Sequence, residues 1–297
     1  MMTSSHSQKE LVRRMMDFFE DELTGRNKLE IIEKIGEHIQ QEYDTIPEKE
    51  RIGKGLVYIV KAIGKGLFAC LKEVINTKVA LKDYLMNLIS LCQVNDKRLK
   101  YLSTQLAYHL ALTDFTSVTE LVLEWAEDDE WDVRENACYP VIAGLKKSRN
   151  ETISFLKKHV SSKNENIRRI IAESTRPKAE VKWLRDPAEN GEILDLLTSL
   201  NHDPAIYVRK AVGNNIKDLS KYMPEKVLDL VEEWVVNGKK LSKRDKKNLR
   251  WTIFQGLRWL KDKEPKHHER IIGLIGENYI LYFDEKRNRN ALPPGLK

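Results

Sequence analysis

Three stretches of the chain read alike and decide the fold: DDEWDVRENA (Asp128–Ala137), SKNENIRRIIA (Ser162–Ala172) and DPAIYVRKAV (Asp203–Val212). Each opens on a polar turn, reaches a β-branched residue followed by arginine, and closes on small or apolar residues. The arginines are Arg134, Arg168 and Arg209. Weaker copies flank them, NDKRLKYLSTQLA with Leu99-Lys100 and KKNLRWTIFQGL with Leu249-Arg250, so the basic positions 100, 134, 168, 209 and 250 are spaced 34, 34, 41 and 41. A period of that size with two helices per unit marks an all-α solenoid. The polar turn followed by a [V/I]-R core points to the HEAT-like kind, a superhelix with a basic concave face where the repeat arginines and second-helix starts align. Those arginines admit two readings. Each can pair with an acidic residue of the adjacent repeat, or the five can form a phosphate track along a duplex, helped by helix N-termini.

The rest of the chain agrees with helices. Thr116–Trp125 places Val118, Leu121, Val122 and Trp125 on one face, and Pro224–Val235 does the same with Val227, Leu228, Leu230, Val231 and Trp234. Thr113-Asp114, Asp203-Pro204 and Ser242 are start signals, and Asn237-Gly238 is a stop. No stretch alternates cleanly enough to read as a strand. The expected organisation is an N-terminal helical region over 1–90 completing the solenoid, repeats over 91–287, and a frayed tail over 288–297. Trp125, Trp234 and Trp259 are expected in the core, Trp131 half exposed, and Trp251 facing the groove beside Arg250. Gly238–Arg250 (GKKLSKRDKKNLR) reads as a basic loop, solvated or touching phosphate through Lys243 and Lys246.

Composition narrows the class. The 297 residues hold 32% charged and 41% apolar side chains with only 14 glycines and 9 prolines, which disfavours a turn-rich β fold, a disordered chain or a membrane protein. Gly55–Ile75, the longest apolar run, is interrupted by Lys61, Lys65 and Lys72. Cys70, Cys92 and Cys138 are scattered and odd in number, which suits a reducing cytoplasm. The N-terminal MMTSSHSQKE lacks the apolar stretch of a secretory signal. Residues 131–297 hold 34 Lys+Arg against 23 Asp+Glu, whereas residues 1–130 hold 17 against 22. A basic half joined to an acidic half suggests a polyanion partner, most simply nucleic acid. The sequence has no GxGxxG, GxxxxGK[ST], HExxH or GxSxG, and His267-His268 reads as an isolated, solvated pair in a charged loop, so no metal or cofactor is expected.

One segment does not fit a plain scaffold. In RRIIAESTRPKAEVKW (Arg168–Trp183) the helix must stop before Pro177, leaving Glu173 at its C-terminal end, where the helix dipole disfavours a carboxylate. An arginine or a function must hold it there. Glu135 follows Arg134 one repeat earlier and Asp203 opens the next repeat, so three acids are expected to converge on one patch, or else each forms an inter-repeat ion pair.

At these residues the chain resembles the AlkC branch of the AlkC/AlkD alkylpurine DNA glycosylases, HEAT-like enzymes of bacterial alkylation repair. IRRIIAESTRP followed by Trp, DPAIYVRKAVGNNIKDLSKYMPEKVLDLVEEW and ENACYP carry the likeness, which runs from about Leu121 to Leu260. The family usually reads EGTRP where this chain has Ser174, and places its Trp about eight residues after the Glu, where Trp183 follows Glu173 by ten. The resemblance implies hydrolysis of the N-glycosidic bond of cationic N3- or N7-alkylated purines by a monofunctional, monomeric enzyme. It would act on double-stranded DNA in the bacterial cytoplasm, associated with the nucleoid. By the same resemblance Glu173, Asp203, Glu135 and Trp183 form the catalytic set. Arg176, Arg209 and Asn214 support it or contact DNA, with Arg134, Arg168, Arg169, Lys210, Lys243, Lys246 and Arg250 as further DNA-binding positions. Two other readings stay open: a non-catalytic HEAT-repeat protein that binds branched or distorted DNA, and a HEAT scaffold that binds protein.

Overall fold

Every regular element among the described residues is helical, as the periodicity expects. The computed structural model describes residues 7–22, 28–51, 55–75, 77–94, 96–177, 180–260 and 263–276. The chain divides into two compact units, Met1–Ser148 and Arg149–Lys297. This division falls inside the segment read from sequence as continuous repeats, and the tail over 288–297 lies outside the described residues. The first unit holds α1 (Gln8–Glu22), α2 (Lys28–Asp44), α3 (Leu56–Val74), α4 (Lys78–Leu91), α5 (Lys97–Ala111), α6 (Thr119–Ala126), α7 (Trp131–Asn136) and α8 (Cys138–Lys147). The second holds α9 (Arg149–His159), α10 (Glu165–Ser174), α11 (Gly191–Ser199), α12 (Ile206–Leu219), α13 (Pro224–Gly238), α14 (Lys243–Leu257) and α15 (Pro265–Ile275). Among the described residues no helix is long and apolar enough to cross a membrane.

The repeat signature folds as one closed turn, used three times. Arg134, Arg168 and Arg209 are each the fourth residue of their helix. Each guanidinium Nη1 reaches back to the carbonyls six and five residues earlier. Arg134 donates to Asp128 at 2.6 Å and Asp129 at 2.8 Å, Arg168 to Ser162 at 2.7 Å and Lys163 at 3.1 Å, and Arg209 to Asp203 at 2.5 Å and Pro204 at 2.9 Å. The residue six before the arginine also caps the turn, its side chain accepting from the amide two residues on: Asp128 from Glu130, Ser162 from Asn164, Asp203 from Ala205. Tight turns strand backbone polar groups, and this arrangement satisfies them without help from a neighbour. Ion pairs then tie one repeat to the next. Lys100, the fourth residue of α5, donates to Asp128 at 2.8 Å, and Arg168 forks onto Asp203 at 2.6 and 2.9 Å.

Arg250 breaks the expected register. It is the eighth residue of α14, whose fourth residue is Lys246. The helix begins earlier than the alignment supposes because Ser242 caps it, its hydroxyl accepting from the Asp245 amide at 3.2 Å. Gly238–Arg250 is therefore mostly helix rather than loop. Helix α7 stops at Asn136 because Pro140 has no amide to donate to the Asn136 carbonyl, and α8 restarts after Ala137.

Packing follows from the apolar stripes. In the first unit α1 lies on α3, α3 on α5 and α5 on α8; in the second, α10 lies on α12 and α12 on α14, with α9, α11, α13 and α15 as the outer partners. Helices α12 and α14 approach closely because glycines face each way: a Cβ on Gly213 would stand 2.6 Å from Gln255 Cβ, and one on Gly256 would stand 2.7 Å from Ile216. Trp125 and Trp234 are buried as expected, and the Trp234 indole N–H donates to Thr198 at 2.8 Å. Trp131 is exposed. Two indoles depart from expectation. Trp251 is core, buried with the Arg209 guanidinium 5.5 Å above its ring, while Trp259 is only half-buried beneath Lys263. His267 departs too: it lies in α15, buried, with Nε2 3.1 Å from Glu225.

Candidate active site

Glu173 sits where the sequence places it, in the last turn of α10, and it is 8% exposed. The local chain is locked before any ligand arrives. Thr175 donates its hydroxyl hydrogen to the Ile171 carbonyl at 2.7 Å, and Pro177 prevents continuation. From α12, Asn215 donates to the Ala172 carbonyl at 2.9 Å and to Thr175 Oγ1 at 3.0 Å. These bonds satisfy carbonyls that the end of a helix leaves without partners. The carboxylate is held by arginine, as the dipole argument requires: Arg176 Nη1 donates to Glu173 Oε1 at 2.6 Å. The same guanidinium donates to Asp218 through Nε at 2.9 Å and Nη2 at 2.5 Å.

Asp218 completes a charged network that the sequence reading missed. Burial pushes its carboxyl up, but hydrogen bonds from Lys217 and Arg176 and the arginine charge outweigh that and hold it well below the usual carboxylate range. Lys221 adds a third cation at 3.1 Å. Burial likewise works against the Arg176 charge, yet Glu173 and Asp218 raise its pKa. A signal for Asp218 was present: it stands in the last turn of α12, where a carboxylate is disfavoured for the same reason as Glu173. Asn215 was hidden beside Asn214, which serves elsewhere by accepting from Arg258 at 2.6 Å.

The other expected site residues each have contacts of their own. Asp203 lies before the start of α12 and is 7% exposed, bound to Arg168 and to its own turn. Arg168, which holds Asp203, and Glu173, which is held by Arg176, lie five residues apart on α10, about 7.5 Å of helix. Asp203 thus clamps its own turn, while Glu173 is held by a different arginine. Glu135 is half-buried on α7 in the first unit. Trp183 stands in a short 3₁₀ turn, Lys182–Arg185, with the Arg149 guanidinium 3.9 Å above its ring. Arg209 is 7% exposed, its charge disfavoured by burial, and it holds the Asp203 and Pro204 carbonyls. Arg134 and Arg168 likewise hold their own turns. Arg169 lies 4.1 Å over the Tyr207 ring, Lys210, Lys243 and Lys246 are exposed, and Arg250 is 3.4 Å from the Ile275 carbonyl. Arg244, which sequence reasoning passed over, lines a cleft of about 540 Å³ with Arg168, His202 and Asp203 at the repeat turns. Among the described residues no His, Cys, Asp and Glu group could hold a metal ion.

Comparison with known proteins places the chain. Residues 68–260 match the model of the family described as DNA alkylation repair enzyme. The chain belongs to that family. Among solved structures it is similar to the alkylpurine DNA glycosylase AlkC of Pseudomonas fluorescens, bound to DNA containing an abasic site analogue, with a TM-score of 0.51 and 18% identity over 88% of this chain and 68% of that one. That likeness shows the fold, a HEAT-like helical repeat. The uncharacterised protein YhaZ of Bacillus subtilis (strain 168) is 36% identical over 76 residues, which cover 24% of this chain and 21% of YhaZ. The match thus spans about a fifth of that relative's length.

Proposed function

We propose that this member of the DNA alkylation repair enzyme family is a monofunctional, monomeric DNA glycosylase that removes cationic N3- or N7-alkylated purines from duplex DNA in the bacterial cytoplasm. The observation that carries the reading is the placement of Glu173, a nearly buried carboxylate on a locked helix end with one oxygen bound by Arg176. An alkylated purine is already positively charged and leaves without a general acid. The sugar then develops oxocarbenium character, as in glycoside hydrolysis. A preorganised carboxylate beside C1′ stabilises that cation and orients the attacking water. Arg176 and Asp218 keep Glu173 in position, and the arginine is itself balanced by two carboxylates. Trp183 is the indole nearest in sequence for stacking on sugar or base, and its stacked Arg149 fixes the ring. Glu135 is assigned to the same reaction as a contributor to the field that favours the sugar cation.

Incubation of the protein with methylated duplex DNA tests this. Free N3-methyladenine or N7-methylguanine should appear, and the strand should stay intact until alkali cleaves the abasic site. Salt-dependent binding with no base released would refute the glycosylase and favour a non-catalytic DNA binder.

A further inference from the structure

The first unit is acidic overall, with 20 Lys+Arg against 24 Asp+Glu over residues 1–148, yet residues 51–82 hold seven Lys+Arg and one acid, Glu73. Helix α3 shows why the cations matter. Ile59, Val60, Ile63, Leu67 and Leu71 are buried, Gly64 faces Gln105 of α5 and Gly66 faces Met15 of α1. Glu73 and Val74 are exposed at the C-terminal end of α3, and along the rest of the helix runs a narrow stripe. At 100° per residue Tyr58, Lys61, Lys65, Phe68 and Lys72 fall within an arc of about 80°. Lys65 and Lys72 are exposed, and Lys61, Tyr58 and Phe68 are half-buried.

None of the three lysines has an acidic partner among the described residues. They are instead seated on rings: Lys61 Nζ lies 4.0 Å over Tyr139 of α8, and Lys72 Nζ lies 5.8 Å over Phe68. Phe68 stacks on His109 of α5 at 4.7 Å with an interplanar angle of 13°. His109 adds no charge at neutral pH, because burial and the neighbouring Lys65 lower its pKa to about 4. A solubilising surface needs no such order. Unpaired cations interleaved with aromatic faces suit a ligand that has regularly spaced anions and planar rings or sugars, which is nucleic acid. Lys61 and Lys72 are separated by about 16 Å along the helix, and one strand of B-DNA advances ~3.4 Å per phosphate along its axis. The stripe therefore spans several phosphates.

We propose that the open face of α3, formed by Lys61, Lys65 and Lys72 with Phe68 among them, is a phosphate track through which the acidic first unit grips the backbone of duplex DNA. The proposal rests on the nucleic-acid reading above and adds the surface by which this unit takes part.

The test measures duplex affinity by fluorescence anisotropy across KCl from about 50 to 300 mM. Each phosphate neutralised adds about 0.9 to the slope of log K against log salt. The triple variant Lys61→Gln/Lys65→Gln/Lys72→Gln should lose about 2–3 from that slope. Phe68→Ala should weaken binding with the slope intact. If the triple variant does not fold, Lys65→Gln alone should lose about 0.9. An unchanged slope in folded lysine variants, with wild-type binding and base release intact, overturns the α3 track and leaves the glycosylase standing. A wild-type protein that does not bind DNA overturns both.

Discussion

Replacing Asp203 by Asn separates a turn clamp from a catalytic acid. The Asp203 side chain is 4% exposed and that of Arg168 12%, and two hydrogen bonds of 2.6 and 2.9 Å join them. Removing the negative charge leaves a largely buried guanidinium without its counter-charge, a change that costs about 3–5 kcal/mol when a buried pair is broken from one side. Arg168 still holds the Ser162 and Lys163 carbonyls, and an asparagine oxygen still accepts from Ala205, so the loss should fall at the low end, about 3 kcal/mol. In a unit of this size about 3 kcal/mol lowers the Tm by roughly 6–12 °C. Circular dichroism melting measures the drop, and a double-mutant cycle with Arg168→Ala should give a coupling energy of about 1–3 kcal/mol. Base release at low temperature, where the variant is folded, should stay close to wild type. If Asp203→Asn melts within a degree of wild type while base release collapses, Asp203 belongs to the chemistry and the clamp argument is wrong.

Other consequences follow from the same contacts. Asn215→Ala removes two buried bonds that end α10 and leaves the Ala172 carbonyl with only the long 3.4 Å bond from the Thr175 hydroxyl. Unfolding by urea should show a loss of about 2–3 kcal/mol, with base release reduced as Glu173 loosens. Asp218 titrates well below its unfolded value of ~3.9, so its stabilisation is full above that pH and is lost progressively as pH falls from there through the lower folded value. Acid unfolding curves of Asp218→Asn should therefore be flatter than wild type below about pH 4. The His109 ring protons should titrate near pH 4 in NMR spectra, lowered first by burial and then by Lys65, and Lys65→Gln should raise the midpoint. Gly213→Ala puts a Cβ 2.6 Å from Gln255 Cβ across the α12–α14 contact and should cost about 1–3 kcal/mol in melting experiments.

Local features were legible in the sequence, and features that depend on distant residues were not. The repeat arginines announced the fold because each acts within its own turn, bonding carbonyls five and six residues back, so the pattern survives as a short motif. Their function was not legible from the same motif. Only the structure shows that the guanidinium groups face inward to those carbonyls, which leaves Arg209 buried. Glu173 could be found because a proline fixes the helix end and the dipole argument is local. Its partner Asp218 lies 42 residues from Arg176, and no local rule pairs them. The Arg250 register failed because the Ser242 cap starts α14 early, which moves the fourth position to Lys246. Trp251 was read as facing a groove on that mistaken register and is instead the floor under Arg209. His267 looked solvated among charged neighbours, yet α15 turns it inward onto Glu225 of α13.

The most direct test of the central claim is single-turnover release of N7-methylguanine and N3-methyladenine from duplex DNA by Glu173→Gln beside wild type. Glutamine keeps the shape and an acceptor for Arg176 but removes the charge that stabilises the sugar cation. The account predicts that DNA affinity is retained while release slows by about 10²–10³-fold. Release at the wild-type rate by a folded Glu173→Gln protein would contradict it.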